Sequence, residues 1–194
     1  MPSHVDDLIS PGCRMNASGV FRARNLLYLH CSQIKQLMIM DKKDLMRRAI
    51  QLSDESVEKG GGPFGAVIAR NGEIVAEGSN NVTLHCDPTA HAEVTAIRNA
   101  TKKLGTFDLT GCEIYTSCEP CPMCLGAIYW AHLDKIYYAN NRKDAAKIGF
   151  DDDFIYQEIE LKPEDRQKKS EKLLRKEALE VFKKWQAKED KTEY

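Results

Sequence analysis

A chain of 194 residues, 42% hydrophobic and 29% charged, is long enough to bury a core without staples and has neither a disordered nor a membrane composition. Its net charge of −1 is unevenly spread: +2 over residues 1–40, −6 over 41–161 and +3 over 162–194. The acidic central segment argues against a nucleic-acid backbone as ligand, and seven cysteines without an export signal argue against a disulfide framework and for free thiols or a metal.

Residues 1–39 show no clear period, and their most apolar stretch, NLLYLHCSQIKQLMIM, is broken by polar residues and Lys35. Translation is expected to begin at Met40 or Met38, which would leave 1–39 outside the native protein. A targeting segment is the rival reading, because residues 8–40 carry arginines and no acids. No run of 18 apolar residues occurs, so no membrane partner and a cytoplasmic location are expected.

Regular pattern starts at Asp41, which can cap a helix carrying Leu45, Ala49, Leu52 and Ser56 or Val57 on one face. Gly60-Gly61-Gly62-Pro63 stops that helix. GAVIAR and EIVAEG flank Asn71-Gly72, the signal of a hairpin with a primed turn. NNVTLHCDPT reads as a polar loop, and HAEVTAIRNATKKLG as a helix closed by Gly105. CEIYTS is a short strand, CPMCLGAIYWA a helix and KIYYA another strand. Strands alternating with helices predict a layered α/β fold. LLRKEALEVFKKW predicts a last amphipathic helix with Leu174, Ala178, Val181, Phe182 and Trp185 along one face. The expected division is a catalytic domain over 40–161 and a C-terminal helix with an active-site lid over 162–194.

The chemistry lies in two short motifs, His91-Ala92-Glu93 and Pro120-Cys121-Pro122-Met123-Cys124. Two cysteines three residues apart at a helix start turn both sulfurs to one side, where exposed N–H groups favour thiolates. Pro120 and Pro122 suit the approach to a helix and its first turn. His91 follows a proline-containing turn at the start of the preceding helix. One imidazole and two thiolates are the three protein donors of a catalytic zinc, whose fourth position takes water. Glu93, two residues beyond His91, is then the acid that accepts the water's proton and returns it to a leaving group. A lone His is usually a core or surface residue, and a lone CxxC also suits a redox pair. Together, in this order and each opening a helix, they form the H-x-E…P-C-x-x-C pattern of zinc deaminases. Cys118 and Cys112 read as core thiols, because a fourth thiolate would close the site.

Through these residues the chain resembles the zinc-dependent cytidine/purine deaminase superfamily. GGPFGAV, NNVT, DPTAHAEVTAIR, YTSCEPCPMCLGAIYWA, GFDDDFIY and the closing W…K…EY resemble its bacterial guanine deaminase branch. The resemblance is dense over residues 60–157. It implies a cytidine deaminase-like three-layer α/β/α sandwich around a mixed five-stranded sheet, one zinc per chain, and hydrolysis of guanine, a small purine base, to xanthine and ammonia. Water activated at the zinc would attack C2 of the purine. Glu93 would protonate the neighbouring ring nitrogen and then the departing amine.

The resemblance also implies Asn80 as a purine-binding amide, Phe64 as a wall under the ring, Asp152 as an acid needed for guanine recognition or turnover, and Tyr194 as a residue closing the pocket. Each has a plainer reading: Asn80 in a turn, Phe64 in the core, Asp152 in a solvated run of three aspartates, Tyr194 at a loose end. A homodimer that swaps its C-terminal segments is implied too. Rival activities are deamination of guanosine, cytosine or tRNA adenosine, the last disfavoured by the acidic core. Rivals of another kind are an iron–sulfur or structural zinc module, which would leave His91 and Glu93 idle, and an inactive paralogue, against which the intact Glu93 speaks.

Overall fold

A computed structural model describes residues 39–193, so the expectations for the N-terminal extension and for Tyr194 lie outside the described residues. From Met40 onward the chain is one unit. It opens with α1 (Lys42–Glu58), capped as the sequence predicts: the Asp44 N–H donates to Asp41 Oδ1 at 2.8 Å. Leu45, Ala49, Leu52 and Ser56 form its buried face, whereas Val57 points out.

Strands β1 (Gly65–Arg70) and β2 (Glu73–Ser79) form the predicted hairpin. Asn71 and Gly72 both have positive φ, 53° and 79°, as a primed turn requires. The expected polar loop contains one helical turn, α2 (Val82–His85). Then come α3 (Ala92–Leu104), closed by Gly105 in the left-handed region, β3 (Glu113–Cys118), α4 (Pro122–Trp130) and β4 (Lys135–Asn140). The chain continues with α5 (Arg142–Lys147), α6 (Asp153–Glu160) and α7 (Arg175–Ala187).

The sheet runs β2-β1-β3-β4, with β1 antiparallel to both β2 and β3, and β3 parallel to β4. Alternate β1 side chains serve opposite faces. Val67 and Ala69 pack with Tyr115 under Leu45, Ala49 and Leu52 of α1. Ala66 and Ile68 pack with Ile114 under Ala92, Ala96 and Ala100 of α3 and Ile128 of α4. Helices therefore cover both faces of a mixed sheet.

Among the described residues the sheet has four strands where the resemblance implies five, and the stretch after β4 is helical. Residues 141–160 favour helix there. Asn141 and Asp144 form a capping box at the start of α5, and Asp151 Oδ1 accepts the Asp153 N–H at 3.0 Å to start α6. Those caps satisfy backbone donors at the two helix starts.

Register decides where function can sit. Gly65 pairs with Ser79 and Ala66 with Thr116, so the start of β1 and the end of β2 lie beside the carboxyl ends of β3 and β4. At that edge α3 presses close to β2: a Cβ on Gly78 would meet the Ala92 carbonyl at 2.3 Å and the Ala96 nitrogen at 2.5 Å. Gly78→Val is expected to cost about 2–3 kcal/mol through overpacking, read as a lower urea midpoint. An unchanged midpoint would mean that α3 does not lie this near the strand.

Candidate active site

Two helix starts converge at this edge. His91 is the N-cap of α3 and Cys121 the N-cap of α4, with Pro122 in the first turn and Cys124 two residues further. The His91 side chain makes no capping bond to its own helix, so it is available to something else. His91 Nδ1 stands 3.6 Å from Cys121 Sγ and 3.5 Å from Cys124 Sγ, and all three donor atoms lie within 4.8 Å of one another. Tetrahedral zinc bonds of about 2.3 Å to sulfur and about 2.1 Å to nitrogen give an S···N edge of about 3.6 Å, so the donor set fits zinc in type and spacing. These three residues could hold the ion.

Glu93 is 7% exposed, and its Oε2 accepts from Cys124 Sγ at 3.3 Å. It is not one of the clustered donors. Burial pushes its carboxyl above the usual range. Cys121 is drawn down to about 4, first by the adjacent Cys124 and then by His91. Cys124, beside Cys121 and buried, is driven up. His91 is raised by its bond to Cys121.

Cys118 ends β3, buried, its Sγ donating to the Asn141 carbonyl at 3.7 Å, and burial pushes its thiol up to about 11. It belongs to the core, as the sequence reading holds, although one side of it reaches the cavity.

His91, Glu93 and Cys121 open into a cavity of about 520 Å³, within the roughly 300–1,000 Å³ usual for small-molecule sites. Asn80, Phe64 and Asp152 line the same cavity. Asn80 is buried, and its Oδ1 accepts the Val82 N–H at 3.2 Å, so it holds a turn and also lines the cavity. Phe64 meets Phe150 edge to face, centroids 4.9 Å apart. Asp152 is half-buried, and burial followed by the Cys121 charge raises its carboxyl. Sequence reasoning missed Phe150, Glu119 and Arg142 in the lining; Phe150 lies within the GFDD stretch and Glu119 within CEPCPMC, whereas no motif signals Arg142. Glu93, Glu119, Asp151 and Asp152 outnumber Arg142, which suits a neutral ligand rich in N–H donors and not a phosphate chain.

A metal held by three protein atoms keeps a position for water, and a buried acid at its side can carry that water's proton. This is the working arrangement of a zinc-dependent hydrolase. Residues 39–140 match the family described as the cytidine and deoxycytidylate deaminase zinc-binding region, and the chain belongs to that family of zinc-dependent hydrolytic deaminases. It is similar to the guanine deaminase of Bacillus subtilis (strain 168), 53% identical over 156 residues that make up 80% of this chain and 100% of that protein. The X-ray structure of guanine deaminase from Bacillus subtilis has a TM-score of 0.78 at 52% identity, covering 80% of this chain and 99% of that one. A tRNA-specific adenosine deaminase of Aquifex aeolicus (strain VF5) is 39% identical over 100 residues, 52% of this chain and 66% of that protein.

Proposed function

We propose that this chain hydrolyses guanine to xanthine and ammonia, with one zinc held by His91, Cys121 and Cys124. One observation carries the reading: Glu93, Asn80, Phe64 and Asp152 share a single cavity with His91 and Cys121 of the donor cluster. Zinc, when bound, lowers the pKa of water from about 15.7 to roughly 7 and so supplies the nucleophile at neutral pH. Glu93 takes a proton from the attacking water and gives it to the ring nitrogen beside C2; it then takes the second proton, from the hydroxyl now on C2, and passes it to the amine, which leaves as ammonia while C2 becomes a carbonyl. The Asp152 carboxylate accepts from the N–H groups of the guanine edge, Asn80 donates its amide N–H to a ring nitrogen, and Phe64 lies along the ring face. The names of the Bacillus subtilis relatives support guanine over other bases. Ammonia release from guanine, guanosine, adenine and cytosine tests this. Guanine is expected to turn over fastest; a faster nucleoside or pyrimidine would overturn the assignment.

The proposal extends to architecture: residues 40–161 form the catalytic domain, a three-layer α/β/α sandwich, and the segment from 162 onward reaches a second copy as a lid over the partner's cavity. The apolar stripe of α7 supports this, since Val181, Phe182 and Trp185 are 61%, 71% and 46% exposed on the chain alone. Among the described residues no helix is long and apolar enough to cross a membrane, and we place the enzyme in the cytoplasm. Deleting residues 185–194 is expected to lower kcat/KM for guanine at least about tenfold, as loss of a water-excluding lid should. An unchanged value would remove the lid.

A further inference from the structure

Asp152 reaches the cavity from an element with little to hold it. It stands at the N-cap of α6, but its side chain makes no capping bond, because Asp151 Oδ1 takes the Asp153 N–H instead. The Asp152 carboxylate is thus left for the cavity. No residue of α6 is buried, so core packing does not fix the helix.

What ties its first turn is Tyr156, four residues on from Asp152 and so on the same helix face. The half-buried phenol donates to the Pro120 carbonyl at 3.0 Å, and Pro120 immediately precedes Cys121. The Arg142 guanidinium lies over the Tyr156 ring, 5.0 Å from its centroid. The Arg142 backbone N–H donates to Glu119 Oε2 at 3.2 Å, which draws in the same loop. A further contact of the first turn, Arg142 Nη1 to Asp153 Oδ1 at 3.7 Å, is exposed on both sides and weak, and the bonds from Arg166 to the Ile159 carbonyl and from Gln167 N–H to Glu158 hold only the far end.

We propose that Tyr156 is a positioning residue: its hydroxyl anchors α6 to the loop that carries Cys121 and thereby sets the Asp152 carboxylate against the bound base. This rests on the reading in which Asp152 meets the guanine edge. A carboxylate displaced by a fraction of a bond length loses its directional hydrogen bonds, so one distant hydroxyl can govern turnover.

The test uses zinc-loaded parent, Tyr156→Phe, Asp152→Asn and the double variant. Phenylalanine keeps the ring beneath Arg142 and removes only the hydroxyl. Tyr156→Phe is expected to lower kcat/KM for guanine about tenfold while zinc stays at about one per chain. In the Asp152→Asn background it is expected to add less than about twofold, because the two changes act through one carboxylate. Hydrogen exchange at the amides of residues 154–157 is expected to quicken about fivefold with α1 unchanged. Independent, multiplying losses would overturn the proposal, as would loss of zinc in Tyr156→Phe, which would show that the phenol serves the metal loop instead. Unaltered exchange would overturn it irrespective of turnover. Should the parent fail to deaminate guanine, the functional reading falls; the cycle is then run on the base that is turned over, and the exchange arm decides on the anchor.

Discussion

Glu93→Gln is expected to lower kcat for guanine by about 10²–10⁴-fold while one zinc per chain is retained. The amide has the carboxylate's shape and still bonds to its neighbours, but it cannot take a proton from water and pass it on. Because Glu93 stands beside the donor cluster and outside it, the metal should not notice the change. Zinc content by atomic absorption and guanine turnover, measured on one preparation, separate the two properties. Retained turnover would strip Glu93 of the shuttle role, and lost zinc would make it a ligand.

Stability supplies a second check on the same variant. Burial holds the Glu93 carboxyl above its ordinary range. The stability tied to the neutral acid is therefore fully present below the ordinary carboxylate range and lost as pH rises through the raised value. Glutamine never ionises and never loses it. Metal-free Glu93→Gln is thus expected to melt at or above the parent temperature at neutral pH. A Tm several degrees lower would mean that the ionised carboxylate holds the fold together.

Cys124→Ala is expected to abolish zinc binding and turnover together, leaving less than about a tenth of a zinc per chain, since two donors do not make a catalytic zinc site. Its Tm should match that of the parent stripped with a chelator. Linkage sets the size of the fall: about 2.7 kcal/mol of stabilisation is lost where free zinc stands at 100 times its Kd. Cys118→Ala is the companion experiment. The Cys118 thiol bonds to Asn141 and lies outside the donor cluster, so its loss should leave zinc untouched. Zinc loss from Cys118→Ala would show that the third thiol of CEPCPMC is a ligand after all.

Much of the fold is readable along the chain because its signals are local. Asp41 caps, Asn71-Gly72 turns and Gly105 closes by contacts made within a few residues, and each does so where the pattern predicts. The four strand-like runs GAVIAR, EIVAEG, CEIYTS and KIYYA are the four strands of the sheet; the fifth came only from resemblance. Less legible was the stretch after β4. GFDDDFIY contains a cap and a helix start, but which aspartate caps and which faces the cavity depends on how α6 is aimed. The stripe of α7 was legible as a pattern, yet no pattern names the surface that would cover it.

Which atoms can bind zinc, and that an acid accompanies the histidine, are properties of the chain itself: they follow from residue types at fixed short spacings, each opening a helix. That the two motifs, thirty residues apart, meet within a few ångströms was decided by the fold alone. The antiparallel hairpin and the parallel β3–α4–β4 unit bring their ends to one edge, and Gly78 lets α3 lie close enough to deliver His91 there. Local signals act through bonds to near neighbours. A site is a meeting of distant segments, and only packing sets the distances between them.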